Sequence, residues 1–206
     1  MRIGLDFDNT IVNYDHVFHL VAREGGHVPV ELPRRKLSVR DFLRRAGKEE
    51  IWTEMQGYVY GARMSDAVPY PGAVDFMRWA GGAGHELRII SHKTRHPYLG
   101  VKYDLHRSAR EWVGQVLHTN GRPLIAPEHV FFDLTIAEKL ERIGGEACDI
   151  FIDDLPEILL APEFPARVER ILFDPDAHHR KLTDLKSVAS WQEARAHLET
   201  ACVTAR

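Results

Sequence analysis

The chain has 206 residues, of which 44% are hydrophobic and 28% charged, a composition typical of a globular protein with its own core. Its formal net charge of −3 excludes the strong positive field with which proteins bind nucleic acid or anionic membranes, so neither partner is expected. Two cysteines, Cys148 and Cys202, are too few for a disulfide framework and lack metal-binding spacing. With a strand-like run starting at Met1 and no apolar run long enough to span a membrane, we expect a cytoplasmic protein.

The first predicted strand lies within MRIGLDFDNTIV and is followed by two carboxylates, Asp6 and Asp8. In an extended backbone, residues i and i+2 project to the same side, so both acids would face one space at the strand end. Two carboxylates held close together repel each other and are costly to bury. The stretch therefore predicts a site that uses both acids.

Residues 13–69 do not continue the alternation of strands and helices seen elsewhere, and we interpret them as an inserted, mostly helical module. Its basic and aromatic residues could contact an anionic or ring-bearing substrate, but a solvated helix face and a small apolar core explain most of them. Arg34 and Arg35, in a predicted loop, are the better candidates for substrate binding. Three stretches have helical patterns: 16–24, 38–46 and 49–63.

Short apolar runs after this module alternate with helical segments, which predicts an α/β fold with a parallel sheet flanked by helices. In open α/β sheets, ligands bind beyond the carboxyl ends of the strands. We therefore expect the polar residues at the strand ends to meet at one edge of the sheet: Asp6 with Asp8, Ser91, and Asp153 with Asp154. The runs are 85–91, 129–132, 149–153 and the weaker 168–173.

Helix boundaries follow from capping and breaking residues. The helix after the inserted module is predicted to end at the pair Gly81-Gly82. Thr135 and Glu138 have the spacing of a capping box, which predicts a helix start and places Lys139 in its first turn. A further helix is predicted from residue 191 to residue 198.

The stretch HKTRHPYLGVKYDLH directly follows Ser91 and is basic, histidine-rich and aromatic. It would begin beside the predicted site, so His92 and Lys93 are candidate substrate contacts. The alternative is a plain turn at His96-Pro97 followed by a packing helix over 103–116. The residues alone do not separate these two interpretations.

The acids at the strand ends form an all-oxygen set of candidate metal ligands: Asp6, Asp8, Asp153 and Asp154. A divalent cation is the usual way to offset repulsion between neighbouring carboxylates. Because no cysteine or histidine lies among them, Mg²⁺ is favoured over Zn²⁺. One such acid could simply be a helix N-cap, but two acidic pairs together with Ser91 are poorly explained in that way.

These residues resemble motifs of the haloacid dehalogenase (HAD) superfamily of phosphatases and phosphotransferases. D-F-D-N-T at 6–10 resembles the first motif of the family, D-x-D-x-T. L-R-I-I-S, ending at Ser91, resembles the second motif, an apolar strand closed by Ser or Thr.

The third and fourth motifs follow in the family's order. Lys139 matches the lone lysine of the third motif, with Lys93 as the competing candidate. I-F-I-D-D, ending at Asp153-Asp154, matches the apolar run and acidic pair of the fourth. This acidic pair lacks the longer spacing seen in many relatives, so Asp154 either binds the metal or orients a ligand. The resemblance covers 1–12 and 70–175.

The family resemblance implies a Rossmann-like, HAD-like catalytic core formed by 1–12 and 70–206, with a small helical cap at 13–69. It implies that Asp6 attacks phosphorus and forms an aspartyl-phosphate. It also implies that Asp8 protonates the leaving oxygen and then accepts a proton from water.

The remaining site residues are assigned through the same resemblance. Ser91 and Lys139 would hold the phosphoryl group, and Asn9 and Thr10 of the first motif would bind substrate. Mg²⁺ would be held by the metal ligands of the motifs: Asp6, the backbone carbonyl of Asp8, and Asp153 with help from Asp154.

The expected function is a Mg²⁺-dependent phosphatase that hydrolyses a small phosphorylated metabolite, either a sugar phosphate or a nucleoside monophosphate. The presence of Asp8 argues against dehalogenation, because family members with that activity typically lack the second acid. A phosphotransferase or mutase with the same intermediate is one alternative, and a non-catalytic phosphate-binding regulatory module is another. The sequence specifies neither the natural substrate nor the oligomeric state.

Overall fold

A computed structural model describes residues 1–204, with side chains through residue 200, and this part of the chain contains ten strands and eight α-helices. The strands are β1 (Arg2–Leu5), β2 (Val12–Asn13), β3 (Val68–Pro69), β4 (Glu86–His92), β5 (His118–Thr119), β6 (Arg122–Pro123), β7 (Val130–Asp133), β8 (Ile150–Asp153), β9 (Glu169–Phe173) and β10 (Lys186–Val188). The helices are α1 (Asp15–Glu24), α2 (Lys36–Arg45), α3 (Glu49–Tyr60), α4 (Ala73–Gly82), α5 (Leu105–Val116), α6 (Ile136–Gly145), α7 (Pro156–Leu159) and α8 (Trp191–Thr204).

Six of these strands form a parallel sheet in the order β10-β9-β8-β1-β4-β7. Strand β1 lies inside this sheet, where Ile3 pairs with Ile150 of β8 and with Leu87 of β4. The predicted Rossmann-like α/β fold is confirmed, and five of the six strands coincide with predicted apolar runs. Strand β10 was not predicted, because its three residues include only one apolar side chain.

Strand β1 packs so closely that only glycine fits at position 4. A Cβ atom on Gly4 would lie 2.5 Å from Cδ2 of Phe151 and 2.9 Å from Sγ of Cys148. Cys148 is itself buried, and this burial raises the pKa of its thiol to about 11, so the thiol stays protonated at neutral pH. The side chain of Cys202 lies outside the described residues.

Helices cover both faces of the sheet. On one face, Leu140 and Ile143 of α6 join a buried cluster with Phe151 of β8. On the other face, the Trp191 ring of α8 lies 4.8 Å from the Phe76 ring of α4 and 5.3 Å from the Phe173 ring of β9. Because neighbouring strand residues point to opposite faces, both layers bury apolar side chains against one sheet. None of the helices within residues 1–204 is long and apolar enough to cross a membrane.

Contacts divide the chain into two compact units, one containing 1–11, 69–92 and the residues from 117 onward, the other containing 12–68 and 93–116. Residues 93–116, predicted as part of the catalytic core, are grouped by their contacts with the helical module. Trp112 of this segment donates a hydrogen bond from Nε1 to the carbonyl oxygen of Ala67, at 2.8 Å. That grouping depends on contacts distant in sequence, which the local pattern does not contain.

The second unit has its own apolar core, built mainly from aromatic rings on α1 and α3. The Phe18 ring lies 4.9 Å from that of Trp52 and 5.7 Å from that of Tyr60. Tyr14, Phe18 and Trp52 are all buried, so these rings are core residues of the unit. The segment 93–116 packs tightly against α3. A Cβ atom on Gly57 of α3 would lie only 2.6 Å from Cβ of Pro97.

Candidate active site

Three parallel strands bring polar side chains together at their carboxyl ends. Asp6 directly follows β1, and its backbone N–H donates to the carbonyl oxygen of Ile152, at 2.9 Å. Ser91 lies near the end of β4, and its hydroxyl donates to Oδ1 of Asp6, at 2.8 Å. Asp153 ends β8, the neighbour of β1 on the other side. The parallel order of the strands therefore places these residues at one edge of the sheet.

Helix α6 contributes a lysine to the same edge. Its capping box is confirmed: Oγ1 of Thr135 accepts from the backbone N–H of Glu138, and Oε2 of Glu138 accepts from the N–H of Thr135. One residue further along, the Lys139 side chain is buried. Its Nζ lies 2.7 Å from Oδ1 of Asp6 and 2.6 Å from Oδ2 of Asp153.

The site holds two buried carboxylates around one ammonium group, so its negative charge is incompletely compensated. Burial raises the pKa of Asp6 to about 6; Lys139 opposes this rise, while Asp153 and Asp8 add to it. Burial lowers the pKa of Lys139, but Asp153 and Asp6 more than offset that effect and raise it, so the lysine stays charged. A site with excess negative charge favours a further cation.

The donor set fits a hard divalent cation. Carboxylate oxygens of Asp6, Asp153 and Asp154 lie within 4.8 Å of one another. Both hydrogen bonds that Asp6 accepts from side chains within residues 1–200 reach Oδ1, which leaves Oδ2 available. The hydroxyl of Thr10 donates to Oδ1 of Asp154, at 3.3 Å, and orients that carboxylate. Such an all-oxygen set suits Mg²⁺, which keeps several waters and binds through a few carboxylates.

The first motif turns sharply after the strand. Asn9 has a φ of 61°, in the left-handed region that asparagine tolerates better than most residues. Asp8, immediately before this turn, is half-buried. Its charge contributes to the raised pKa of Asp6, so the two acids sense each other. Thr10, immediately after Asn9, is fully buried.

The predicted substrate-binding residues outside the first motif lie in different settings. His92 is exposed, and its Nε2 lies 3.1 Å from the carbonyl oxygen of Leu134. Lys93 is buried in the second unit, with Nζ 4.8 Å from the ring centroid of Tyr60. Arg34 and Arg35 are exposed in the loop before α2. Their contact with substrate stays a prediction.

The two candidates for the lysine of the third motif lie in different units. Nζ of Lys139 contacts Asp6 and Asp153 in the first unit, and Nζ of Lys93 lies 4.8 Å from the ring centroid of Tyr60 in the second. The assignment of the third motif to Lys139 stays a prediction.

One ion pair that supports the site was not predicted from the sequence. Nε of Arg142 on α6 lies 2.9 and 3.0 Å from the two carboxylate oxygens of Asp133, the buried last residue of β7. The pair ties α6 to the sheet one turn after Lys139. The sequence signal for this ion pair is an acid at the end of the run VFFD and an arginine nine residues later, on the next helix.

A parallel α/β sheet with an acid–hydroxyl–lysine group at its carboxyl edge, and a helical module inserted after the first strand, is the architecture of HAD-superfamily hydrolases. The chain has this fold. No protein-family model matches the chain.

Similarity to known proteins extends over nearly the whole chain. A protein from Oceanobacillus iheyensis, named "Putative nucleotidase OB0422", is 23% identical over 200 residues, which cover 94% of this chain and 96% of that protein. A haloacid dehalogenase-like hydrolase from Streptococcus pneumoniae superposes with a TM-score of 0.61 at 15% identity, covering 96% of this chain and 97% of that one. A HAD-family hydrolase from Deinococcus radiodurans R1, with bound phosphate and sodium, gives a TM-score of 0.56 at 18% identity, covering 97% and 95%.

Proposed function

We propose that the protein is a Mg²⁺-dependent phosphatase that hydrolyses a small phosphorylated metabolite through an aspartyl-phosphate on Asp6. The observation that supports this most directly is the contact of one buried lysine with two buried carboxylates. Nζ of Lys139 binds Oδ1 of Asp6 and Oδ2 of Asp153, and Ser91 donates to the same oxygen of Asp6. Phosphoryl transfer requires chiefly positioning and charge stabilisation, and this group supplies both.

In the first half of the proposed reaction, the carboxylate of Asp6 attacks phosphorus and a new O–P bond forms. The bond from phosphorus to the leaving oxygen breaks, and its electron pair stays on that oxygen. Asp8 donates a proton to the leaving oxygen, so the product departs as an alcohol. The hydroxyl of Ser91 and the ammonium of Lys139 hold the phosphoryl oxygens during this transfer.

In the second half, the ionised Asp8 accepts a proton from a water molecule, and the water oxygen attacks phosphorus. The O–P bond to Asp6 breaks, which returns Asp6 as a carboxylate and releases inorganic phosphate. Asp8 ends protonated, with a proton from the water in place of the one that left with the alcohol, so the cycle closes. The same two residues therefore serve both halves of the reaction.

The residues that would hold Mg²⁺ are Asp6, the backbone carbonyl of Asp8, and Asp153 with help from Asp154. When bound, the ion would offset the repulsion between the Asp6 carboxylate and an approaching phosphate. Lys139 alone compensates only one of the two buried carboxylates that it contacts.

The candidate substrates are sugar phosphates and nucleoside monophosphates. The relative from Oceanobacillus iheyensis has nucleotidase in its name, which favours testing nucleoside monophosphates first. A panel of phosphate esters assayed for inorganic phosphate, with and without an acceptor alcohol, tests both the hydrolysis and the class of substrate. Release of phosphate from no ester in the panel would contradict the proposal.

Replacing Asp8 with Asn should slow turnover of an alkyl phosphate by about 10²–10⁴-fold, the usual contribution of a positioned acid–base group. An activated aryl phosphate has a leaving group that needs little protonation, so Asp8→Asn should form the phosphoenzyme at a nearly normal rate. The slow step should then be the hydrolysis of the phosphoenzyme. Rapid quenching should then detect phosphorylated protein. Asp75→Asn, on an exposed aspartate of α4, is the matched control and should keep wild-type rates. Equal losses with both classes of ester, and no trapped phosphoenzyme, would contradict the role of Asp8.

Removal of divalent cations with EDTA should abolish phosphate release, and Mg²⁺ should restore it. Asp153→Asn should weaken the restoration, so that a higher Mg²⁺ concentration is needed for half-maximal activity. Isothermal titration calorimetry of the metal-free proteins with Mg²⁺ compares the affinity of the wild type with that of Asp153→Asn without turnover. Full activity in EDTA would show that the acids do not serve a metal.

A further inference from the structure

The first turn of α6 contains Lys139, yet apolar burial does not hold this turn in place. Leu134, just before the helix, is 52% exposed, and Ile136, its first residue, is 44% exposed. Leu140 and Ile143, later in the same helix, are buried. The position of the first turn therefore depends on the ion pairs of Lys139 itself and on hydrogen bonds at the start of the helix, since its apolar side chains contribute little.

One of these hydrogen bonds comes from the neighbouring strand. The ladder between β4 and β7 ends where His92 pairs with Asp133. The ring of His92 extends the connection by one residue, because its Nε2 lies 3.1 Å from the carbonyl oxygen of Leu134. A carbonyl oxygen can only accept, so Nε2 carries the proton and donates. Leu134 immediately precedes Thr135, the N-cap of α6.

We propose that His92 is a positioning residue for Lys139, an inference that rests on the proposed phosphatase function. Its hydrogen bond fixes the start of α6 relative to the end of β4. The end of β4 also carries Ser91, one residue before His92. This side chain therefore helps to keep Ser91 and Lys139, the two groups proposed to hold the phosphoryl oxygens, in register with each other.

The register matters because Lys139 makes two short ionic contacts, at 2.7 and 2.6 Å, with residues on two different strand ends. A displacement of about 1 Å in such a site lowers the rate by about 10²-fold. The capping box and the Asp133–Arg142 pair still hold the helix when the His92 bond is lost. A smaller displacement, and a loss of about tenfold, is expected.

The test compares His92→Ala with His92→Gln, whose side-chain amide can donate to the same carbonyl. His92→Ala should lower kcat about tenfold with KM changed by less than about threefold, and His92→Gln should recover most of kcat. His197→Ala is the matched control, because Nε2 of His197 also binds an acceptor in the first unit. That acceptor, Glu169, is the first residue of β9, so it lies at the amino ends of the strands, whereas the candidate site lies at their carboxyl ends. The kcat of His197→Ala should therefore equal that of the wild type.

A double-mutant comparison shows whether His92 acts through Lys139. The rate of a single turnover of an activated aryl phosphate is measured in Lys139→Met and in the double variant with His92→Ala. Adding His92→Ala to Lys139→Met should lower this rate little further. Losses that multiply would overturn the proposal. So would a rise in KM with kcat unchanged, which would show direct substrate contact, or no change in either constant.

A failure of the proposed function has a different signature. If the wild-type protein hydrolyses no phosphate ester, the position of α6 is followed by hydrogen exchange of the amides of Glu138 and Lys139 instead. Faster exchange in His92→Ala, and slow exchange in His92→Gln and His197→Ala, would support the positioning role. Unchanged exchange in His92→Ala would overturn it.

Discussion

Asp6→Asn should abolish phosphate release, with turnover lowered by about 10⁴-fold or more, because an amide cannot serve as the attacking carboxylate. The fold should persist, since asparagine fills the same space and can still accept the hydrogen bonds of Ser91 and Lys139. The measurement is release of inorganic phosphate together with far-ultraviolet circular dichroism. Asp75→Asn, the same chemical change on an exposed residue of α4, should keep full activity. Activity of Asp6→Asn within tenfold of wild type would mean that another residue is the nucleophile.

The same substitution should stabilise the metal-free protein in a pH-dependent way. Because burial raises the pKa of Asp6 from 3.8 to about 6, the folded chain binds this proton more tightly than the unfolded chain. The free energy of unfolding of the wild type should therefore fall as pH rises from about 4 to about 6, and the cost persists above that range. Asparagine avoids this cost but leaves Lys139 with one negatively charged partner fewer.

The expected net gain for Asp6→Asn is about 1–2 kcal/mol at pH 7.5, and the gain should disappear near pH 4. Urea unfolding in EDTA at both pH values measures it. A gain that grew as the pH fell would contradict the assigned titration of Asp6.

Lys139→Met should have the largest effect on stability. Methionine has a similar length, but it leaves the carboxylates of Asp6 and Asp153 buried without their shared cation. Removing one partner of a buried ionic group costs about 3–5 kcal/mol. The free energy of unfolding in urea should fall by that amount at pH 7.5 in EDTA. Turnover should fall as well, because the phosphoryl group loses its ammonium partner.

Lys93→Met is the matched comparison for Lys139→Met, because Lys93 is also a buried lysine but contacts an aromatic ring. It should cost less stability, because it leaves the ion pairs of Lys139 with Asp6 and Asp153 intact. If Lys93→Met lost turnover while Lys139→Met kept it, the lysine of the third motif would be misassigned.

The elements that place the candidate catalytic acids were predictable from the sequence because their signals are local. The runs that became β4, β7 and β8 are short and apolar, and each lies before a polar residue. The capping box of Thr135 and Glu138 fixed the start of α6 to the residue. The roles of the site residues came from the family resemblance and stay predictions until variants are measured.

The sequence could not predict features that depend on contacts between distant segments. A packing helix over 103–116 was one of two interpretations of the sequence, and the place of α5 in the second unit depends on the Trp112 hydrogen bond to Ala67. The hydrogen bond of His92 requires the β4–β7 register, which no pattern within either strand encodes. Likewise β10, with residues Lys186–Val188, has too few apolar side chains to distinguish it from a loop.

The interior place of β1 in the sheet also affects how the protein is made. Arg2 hydrogen-bonds Asp149, 147 residues later, and Ile3 pairs with Ile150. Residues 2–5 must therefore wait, once synthesised, for residues near position 150 before their strand has both neighbours. At about 5–20 residues per second, this wait lasts on the order of seven to thirty seconds. During that time an apolar strand stays without one of its two neighbours, and transiently exposed apolar surface of this kind is what chaperones bind.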